Sequence, residues 1–323
     1  MEADLVRELP TGDEWQYEPK WDGFRGLLEN GTGELRLWSR NARPLLRYFP
    51  ELRPLEKLLP PLSALDGEIV IERDGVLDFD AMQTRLHPAE SRINRLSAEI
   101  PARFIAFDVL VWKGEEVWRE PLSKRRVKLE RSAKRFELSP ATCDRVEALD
   151  WLERFEAIGL DGVVAKRRDL AYLPGSRDGV AKVKPEKTAD CVVVGVRWKS
   201  KPDRIATLLL GLYREDGEID YVGSAAVAPA RHAEVAARVM PLLEAPKRRF
   251  SEPNRWGGGE LEESPVRPEV VVEVRYDKVQ SNRFRHGTKL VRFRDDKDPR
   301  QCTWLELRPA RPTGMTVASI LGQ

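Results

Sequence analysis

The segment EPKWDGFR at residues 18–25 places Lys20 among turn-forming residues, with an acid two positions later and an arginine at its end. A primary amine in such a loop can act as a nucleophile when desolvation or neighbouring cations lower its pKa from the ordinary value of ~10.4. Considered alone, Lys-x-Asp-Gly is a short pattern that a solvated turn explains equally well. The other residues of a covalent site must therefore lie downstream.

Further polar and aromatic residues lie beside segments that favour strands, where such a site could use them. They are Arg40 after ELRLWS, Glu68 before IVIE, Phe107 within FIAFDVLVW, Asp161 before GVVAK, and Lys182 and Lys184 within AKVK. Because side chains alternate along a strand, the two lysines face one side of it. Each residue also has a structural interpretation: Phe107 in the core, the acids in turns, and the lysine pair on a solvated face.

The elements that must position these residues mix strands and helices over residues 1–187, which predicts an α+β domain. We expect strands at 34–39, 69–72, 104–112, 162–166 and 180–184, and helices at 51–59, 123–135 (capped by Ser123) and 146–158 (ending at Gly159).

The pattern changes near residues 185–190. Residues 188–323 predict short strands at 191–199, 205–213, 220–222, 270–276 and 290–294, one helix at 230–243, and a loop at 253–264. About five strands with one helix favour a small β-barrel of the OB type. From about residue 309 the sequence has little pattern, which predicts a disordered tail.

Composition limits the class of protein. The 323 residues are enough for two domains, and 55 Lys and Arg against 53 Asp and Glu leave a net charge of +2. The first 100 residues carry a net −6, and the rest is basic. Three separated cysteines exclude a disulfide framework or a zinc site. There is no membrane span or secretory signal, so we expect a cytoplasmic protein without a membrane partner.

Together these segments resemble the covalent nucleotidyltransferase superfamily, and within it the ATP-dependent DNA ligases. Six motif-like segments follow the family's order from residue 18 to about 297. HPAESR at 87–92, GLDG at 159–162, TADC at 188–191 and VEVRYD at 272–277 are similar to the small bacterial ligases called ligase C. The resemblance implies an adenylation domain over 1–187, followed by an OB-fold domain over 188–323.

The resemblance also implies roles for the residues. Lys20 would attack the α-phosphate of ATP to form a lysyl-AMP, and the AMP would then activate the 5′-phosphate of a nick for attack by the 3′-hydroxyl. ATP-binding residues would be Glu18, Arg25, Arg40, Glu68, Phe107, Lys182 and Lys184, and Asp161 and Glu68 would bind Mg²⁺ or Mn²⁺. Residues that orient pyrophosphate would be Arg292, Arg294, Asp296 and Lys297, which requires closure at a hinge over residues 185–190. The family's fourth motif usually begins with Glu, where this chain has Asp161.

Because Lys20 lies near the start of the sequence, we expect the two catalytic domains themselves to bind nicked duplex DNA. Residues 278–294 contain six Lys and Arg, no acid and two phenylalanines, which favours phosphate contacts through Arg283, Arg285 and Lys289. A basic helix over 124–135 is better explained as a solvated face. We expect a bacterial, nucleoid-associated monomer that receives nicks from repair proteins.

Two alternatives remain open from the sequence alone. An RNA ligase or a capping guanylyltransferase belongs to the same superfamily. An OB-type nucleic-acid scaffold without catalysis would belong to another class, although Lys20, Glu68, Lys182 and Lys184 argue against a decayed site.

Overall fold

In a computed structural model, the chain forms two compact units. The first contains Met1–Pro185 and Pro309–Gln323, and the second contains Glu186–Arg308. The structure describes residues 1–200, 204–245, 263–280, 282–285, 287–307 and 315–322. The sequence predicts a domain boundary between residues 187 and 188, close to the boundary at 185/186. The main difference is the C-terminal segment Pro309–Gln323, which groups with the first unit. There Val317 is fully buried in a core of the first unit, and its N–H donates to the Gly75 carbonyl. The prediction of a disordered tail is therefore wrong for residues 315–322, while residues 309–314 lie outside the described residues.

Among its described residues, the first unit contains ten strands. They are β1 Asp4–Leu5, β2 Trp15–Pro19, β3 Phe24–Asn30, β4 Leu35–Ser39, β5 Ser63–Arg73, β6 Val76–Leu77, β7 Ala102–Val111, β8 Glu137–Leu138, β9 Val163–Arg167 and β10 Val180–Val183. One sheet has the order β1-β10-β9-β2, and the other has the order β4-β3-β5-β7-β8 with β6 beside β5.

The α-helices of both units are α1 Phe79–Thr84, α2 Glu90–Glu99, α3 Leu122–Ser132, α4 Arg145–Arg154, α5 His232–Val239 and α6 Val317–Ile320. The 3-10 helices are Leu46–Tyr48, Pro50–Lys57, Val117–Arg119, Phe155–Ile158, Pro229–Arg231, Met240–Leu242, Pro299–Gln301 and Trp304–Leu307.

Two apolar cores stabilise the first unit. One packs the six-stranded sheet against helices and includes Leu65 and Leu129. The other takes Ile105 from β7 and Val163 from β9, so it draws on both sheets. Burial of these side chains, about 25 cal/mol per Å² of apolar surface, fixes the two sheets relative to each other. The mixture of sheets and helices confirms the predicted α+β class.

Several helix boundaries differ from the predictions. Helix α3 begins at Leu122 after Pro121, and no side chain caps it, so the prediction that Ser123 caps this helix is wrong. The fixed φ of proline starts the helix before Ser123 is reached. Helix α4 changes to a 3-10 helix at Phe155 and ends, as predicted, at Gly159, whose φ is +87°.

The described part of the second unit has eight strands: β11 Lys187–Ser200, β12 Arg204–Tyr213, β13 Ile219–Ala226, β14 Glu263–Pro265, β15 Val271–Tyr276, β16 Val279–Gln280, β17 Arg283–Phe284 and β18 Thr288–Phe293. The main sheet has the order β12-β13-β18-β15-β11-β14, and β11 also pairs with β12. Buried Val235 and Val239 pack α5 on its core. This arrangement fits the predicted OB-type domain.

Two predictions for this unit differ in part from the described structure. The helix expected at 230–243 is α-helical only over His232–Val239, with a 3-10 turn on each side. Of the loop expected at 253–264, residues 253–262 lie outside the described residues, while Glu263 and Ser264 belong to β14. Within the part of the chain that the structure describes, no helix has the length and apolar character needed to cross a membrane.

Candidate active site

Lys20, Asp161 and Lys184 form a charge cluster in the first unit. Lys20 Nζ donates to Asp161 Oδ2 over 2.6 Å, and Lys184 Nζ lies 3.0 Å from the same oxygen. Burial alone would raise the pKa of Asp161, but the two ammonium groups outweigh it and hold the pKa below its ordinary value. One carboxylate therefore stays ionised and fixes two lysines.

The backbone around Asp161 explains why these residues meet. Lys20 N–H donates to the Gly162 carbonyl over 2.8 Å, and Asp161 N–H donates to the Lys20 carbonyl over 2.9 Å. Gly162 has a φ of +128°, and a Cβ there would lie 2.1 Å from the Val183 carbonyl oxygen. Only glycine lets the chain pass this close to β10. The Asp-Gly pair thus joins the Lys20 loop to the end of β10, directly before Lys184.

A row of side chains crosses the four-stranded sheet beside this cluster. Glu18 lies opposite Val164, which lies opposite Lys182. Burial, followed by the charges of the other two lysines, holds the pKa of Lys182 below its ordinary value. Glu18 is 2% exposed and accepts from Gln16 Nε2 over 2.8 Å and from Lys166 Nζ over 2.7 Å. Its carboxylate is therefore held in one orientation by two donors.

Phe107 lies at a β-bulge in the other sheet. The residues before and after it pair with two consecutive residues of β5, which leaves Phe107 as the extra residue. Bulges redirect side chains and are common beside active sites. Its half-buried ring has Lys166 Nζ 4.4 Å and Arg25 Cζ 5.7 Å from the ring centre. Phe107 is thus an accessible aromatic group among cations rather than a core residue.

Arg25 is fixed by an acid and a tyrosine. Its Nε and Nη2 donate to the two oxygens of buried Asp66 over 3.0 and 2.6 Å. Tyr172 donates its hydroxyl proton to Asp66 Oδ2 over 2.7 Å and accepts from Arg25 Nη2 over 3.0 Å. Although burial opposes ionisation, Arg25 and the tyrosine hydroxyl hold the pKa of Asp66 below its usual range. The result is an ordered guanidinium.

Glu68 lies directly opposite Arg25 in the pairing of β3 and β5. Burial raises its pKa to about 8, because desolvation outweighs the attraction of Lys20 and Arg25. This carboxyl therefore holds a proton at neutral pH in the protein alone, and a cation beside it would favour the ionised form.

The described residues contain no group of three or more His, Cys, Asp or Glu side chains spaced to hold a metal ion. Asp161 and Glu68 are nevertheless hard oxygen ligands in the same pocket region, since both interact with Lys20. Mg²⁺ typically uses one or two carboxylates together with substrate phosphates and water. The donor set therefore fits such an ion bound jointly with a nucleotide.

Not every predicted residue joins these contacts. Arg40 is exposed in the turn after β4. In the second unit, Arg283, Arg285 and Lys289 are exposed, and Arg283 Cζ lies 5.4 Å from the ring centre of Tyr221. The pyrophosphate-orienting residues also lie in that unit: Arg292 pairs with Glu273 over 2.6 Å, and Arg294 pairs with Asp296 over 2.9 Å.

Four site residues were missed by reasoning from sequence. Asp66 lies two residues before Glu68 on β5, and Lys166 lies two residues after Val164, which pairs with Glu18. Because side chains alternate along a strand, both residues could have been found from the sequence. Gln16 could have been found by the same alternation. Tyr172 lies in an irregular loop, where no periodicity indicates the direction of a side chain.

Comparisons with known proteins cover nearly the whole chain. Residues 3–184 match a family model described as the ATP dependent DNA ligase domain, and residues 201–297 match the ATP dependent DNA ligase C terminal region. DNA ligase C2 of Mycolicibacterium smegmatis is 42% identical over 332 residues, which cover 95% of this chain and 93% of the relative. DNA ligase C of Mycobacterium tuberculosis is 41% identical over 348 residues, covering 99% and 96%.

A solved structure is also similar. A mycobacterial DNA ligase D complexed with ATP and MES is 28% identical, with a TM-score of 0.50 over 93% of this chain and 97% of that one.

Proposed function

Because the chain belongs to the family of ATP-dependent DNA ligases, we propose that Lys20 is the nucleophile that receives AMP from ATP. The enzyme uses ATP to join DNA strands, and the prediction of a ligase similar to bacterial ligase C is confirmed. The observation that carries the assignment of the nucleophile is the contact of Lys20 and Lys184 with one carboxylate, Asp161.

In the first step, Lys20 Nζ attacks the α-phosphorus of ATP. A P–N bond forms, the bond from the α-phosphorus to the bridging oxygen breaks, pyrophosphate leaves with that electron pair, and the proton that the Lys20 ammonium gives up passes to solvent. Lys182 lies on β10 and Lys184 follows directly after it, and both stabilise the negative charge that develops on the phosphate oxygens. Asp161 keeps Lys20 and Lys184 close together before the substrate binds.

The nucleotide would bind between the two sheets. Phe107 supplies an accessible ring for stacking on adenine, and Glu18 presents an oriented carboxylate that can accept from the adenine amine. Arg25 and Glu68 face each other where the ribose and phosphates would follow.

Asp161 and Glu68 would hold Mg²⁺ or Mn²⁺ together with the phosphates. When bound, the ion offsets phosphate charge and withdraws electron density from the reacting phosphorus. Since Glu68 is protonated near neutral pH in the protein alone, binding of the cation would release that proton.

In the later steps, AMP passes to the 5′-phosphate of a nick, and the 3′-hydroxyl attacks that phosphate and releases AMP. We propose that exposed Arg283, Arg285 and Lys289 contact the DNA backbone, and that Arg40 does so from the first unit. Contacts of this kind are independent of base sequence and weaken steeply with salt.

We propose DNA repair as the setting, because a nick with 5′-phosphate and 3′-hydroxyl ends is what excision or break repair leaves for its last step. The proposal includes a monomer that works at the nucleoid on ends prepared by other repair proteins.

Labelling with ATP tests the nucleophile. Wild-type protein incubated with ATP labelled at the α-phosphate and a divalent cation should form an acid-labile, lysine-linked adenylate, and Lys20→Ala should form none. Lys57→Ala is the matched control, since Lys57 is exposed in the 3-10 helix Pro50–Lys57, and it should label normally. Labelling of Lys20→Ala at the wild-type rate would rule out Lys20. GTP and nicked RNA serve as comparison substrates.

A further inference from the structure

Two carboxylates in the second unit, Asp190 and Glu306, bind Arg294 and Lys297 of the segment 292–297. Asp190 Oδ2 accepts from Arg294 Nη1 over 2.7 Å and from Lys297 Nζ over 2.9 Å. Glu306 Oε1 accepts from Lys297 Nζ over 2.6 Å, and Glu306 Oε2 accepts from the Asp190 N–H over 3.3 Å. A single oxygen of Asp190 thus joins both cations, and Glu306 supports Asp190 and Lys297 together.

These bonds leave donors available on both cations. Arg294 also donates from Nε and Nη2 to the two oxygens of Asp296, each over 2.9 Å. A guanidinium has five N–H groups and an ammonium has three. In the contacts of the described residues, two N–H groups of Arg294 and one of Lys297 therefore remain for another acceptor. The carboxylates orient the cations without using all of their donors.

Asp190 is more buried than the two cations that it binds, whereas Glu306 is 25% exposed. Asp190 is 7% exposed, and its Oδ1 is buried without a hydrogen-bond partner among the described residues. The Arg294 and Lys297 side chains retain 20% and 15% exposure. An anion from solvent could contact the two cations but not Asp190, which therefore lies on their buried side. Arg292, by contrast, is 60% exposed and has Glu273 as its carboxylate partner.

We propose that Asp190 and Glu306 are positioning residues that direct the remaining N–H groups of Arg294 and Lys297 toward the pyrophosphate leaving group of ATP. This inference rests on the proposed role of Arg294 and Lys297 in adenylation. Donors that are already oriented stabilise leaving-group charge without reorganising during the reaction. Loss of the buried acid would remove one of the carboxylates that hold each cation, leaving Asp296 on Arg294 and Glu306 on Lys297, and misplacement by about 1 Å can slow a reaction about 100-fold.

Asp190→Asn keeps the size of the side chain and removes its charge. Two rates should be measured: adenylation of Lys20 from labelled ATP, and sealing of a nick whose 5′-phosphate already carries AMP. We expect adenylation to slow by about 10- to 100-fold. Sealing of the pre-adenylated nick should change less than about two-fold, because no pyrophosphate leaves in that step. Normal sealing also shows that the variant is folded.

Glu306→Gln should slow adenylation less, by about 5- to 10-fold, since Lys297 would still have Asp190. Asp295→Asn is the matched control, because this exposed acid of the same segment pairs with Arg238 instead. It should leave both rates unchanged.

Arg294→Ala separates the positioning role from the role of the segment itself. If Arg294→Ala adenylates normally, the segment does not orient pyrophosphate and the proposed role fails. If Arg294→Ala loses adenylation while Asp190→Asn retains it, the positioning role alone is wrong. Equal slowing of adenylation and sealing in Asp190→Asn would show a general structural role and overturn the inference.

Discussion

Tyr172→Phe removes one hydroxyl group from the network that orders Arg25. That hydroxyl donates to Asp66 Oδ2 over 2.7 Å and accepts from Arg25 Nη2 over 3.0 Å. Burial and the nearby charge of Asp66 raise the pKa of Tyr172, so its proton stays in place as a donor. The ring would remain beside Arg125, whose Cζ lies 5.8 Å from its centre, and the substitution therefore leaves the packing of the loop intact.

The size of the effect follows from the bonds that are lost and kept. A hydrogen bond to a charged group contributes about 1.5–3 kcal/mol net. Asp66 would lose one such bond but keep both bonds from Arg25, so we expect a loss near the lower limit, about 1.5 kcal/mol in the free energy of unfolding. If Arg25 contacts the substrate only when oriented, kcat/KM for nick sealing should fall by about 10-fold, since 1.4 kcal/mol corresponds to that factor.

Urea unfolding and nick-sealing kinetics measure the two effects. Tyr48→Phe is the matched control. It also removes one tyrosine hydroxyl, but the contact of Tyr48 with Arg85 is made by its backbone carbonyl and is kept. We expect this control to match the wild type in both assays. A Tyr172→Phe protein that seals nicks at the wild-type rate would show that Arg25 needs no ordering through Tyr172, and the reasoning would be refuted.

Three further substitutions test other contacts. Burial raises the pKa of Glu68 to about 8 from 4.5, so the wild-type free energy of unfolding should fall as the pH rises through this range. Urea titrations of Glu68→Gln, in chelator, should lack most of that fall. Gly162→Ala places a Cβ 2.1 Å from a backbone oxygen of β10, so thermal unfolding should show a loss of at least about 2 kcal/mol, and adenylation should slow. Arg125→Met leaves buried Asp108 without its partner, and urea unfolding should show a loss of about 3–5 kcal/mol.

The sequence identified the residues of the charge cluster but not how each is oriented. Lys20, Asp161 and Lys184 follow from short motifs, whereas the placement of Lys182 and Lys184 on one strand face stays a prediction, because β10 ends at Val183. The bulge at Phe107 depends on how β7 pairs with β5, which is a non-local property that no run of residues specifies.

The basic helix illustrates the same limit for charge. The sequence 124–135 predicts a solvated cationic face, yet Arg125 is 1% exposed and binds Asp108 through two hydrogen bonds of 2.8 and 2.9 Å. Composition cannot distinguish a cation that will be buried beside an acid from one that will face water. That distinction appears only when distant segments pack together.

Some of the acids that offset the cations in the net charge of +2 lie directly beside them. In the first unit Asp161 holds Lys20 and Lys184, and in the second unit Asp190 holds Arg294 and Lys297. A cation that is to act on phosphate needs a fixed position, and a nearby carboxylate supplies it at the cost of one formal charge. Net charge is therefore a poor measure of the enzyme's affinity for DNA, and the exposed cations of individual surfaces determine how steeply that affinity depends on salt.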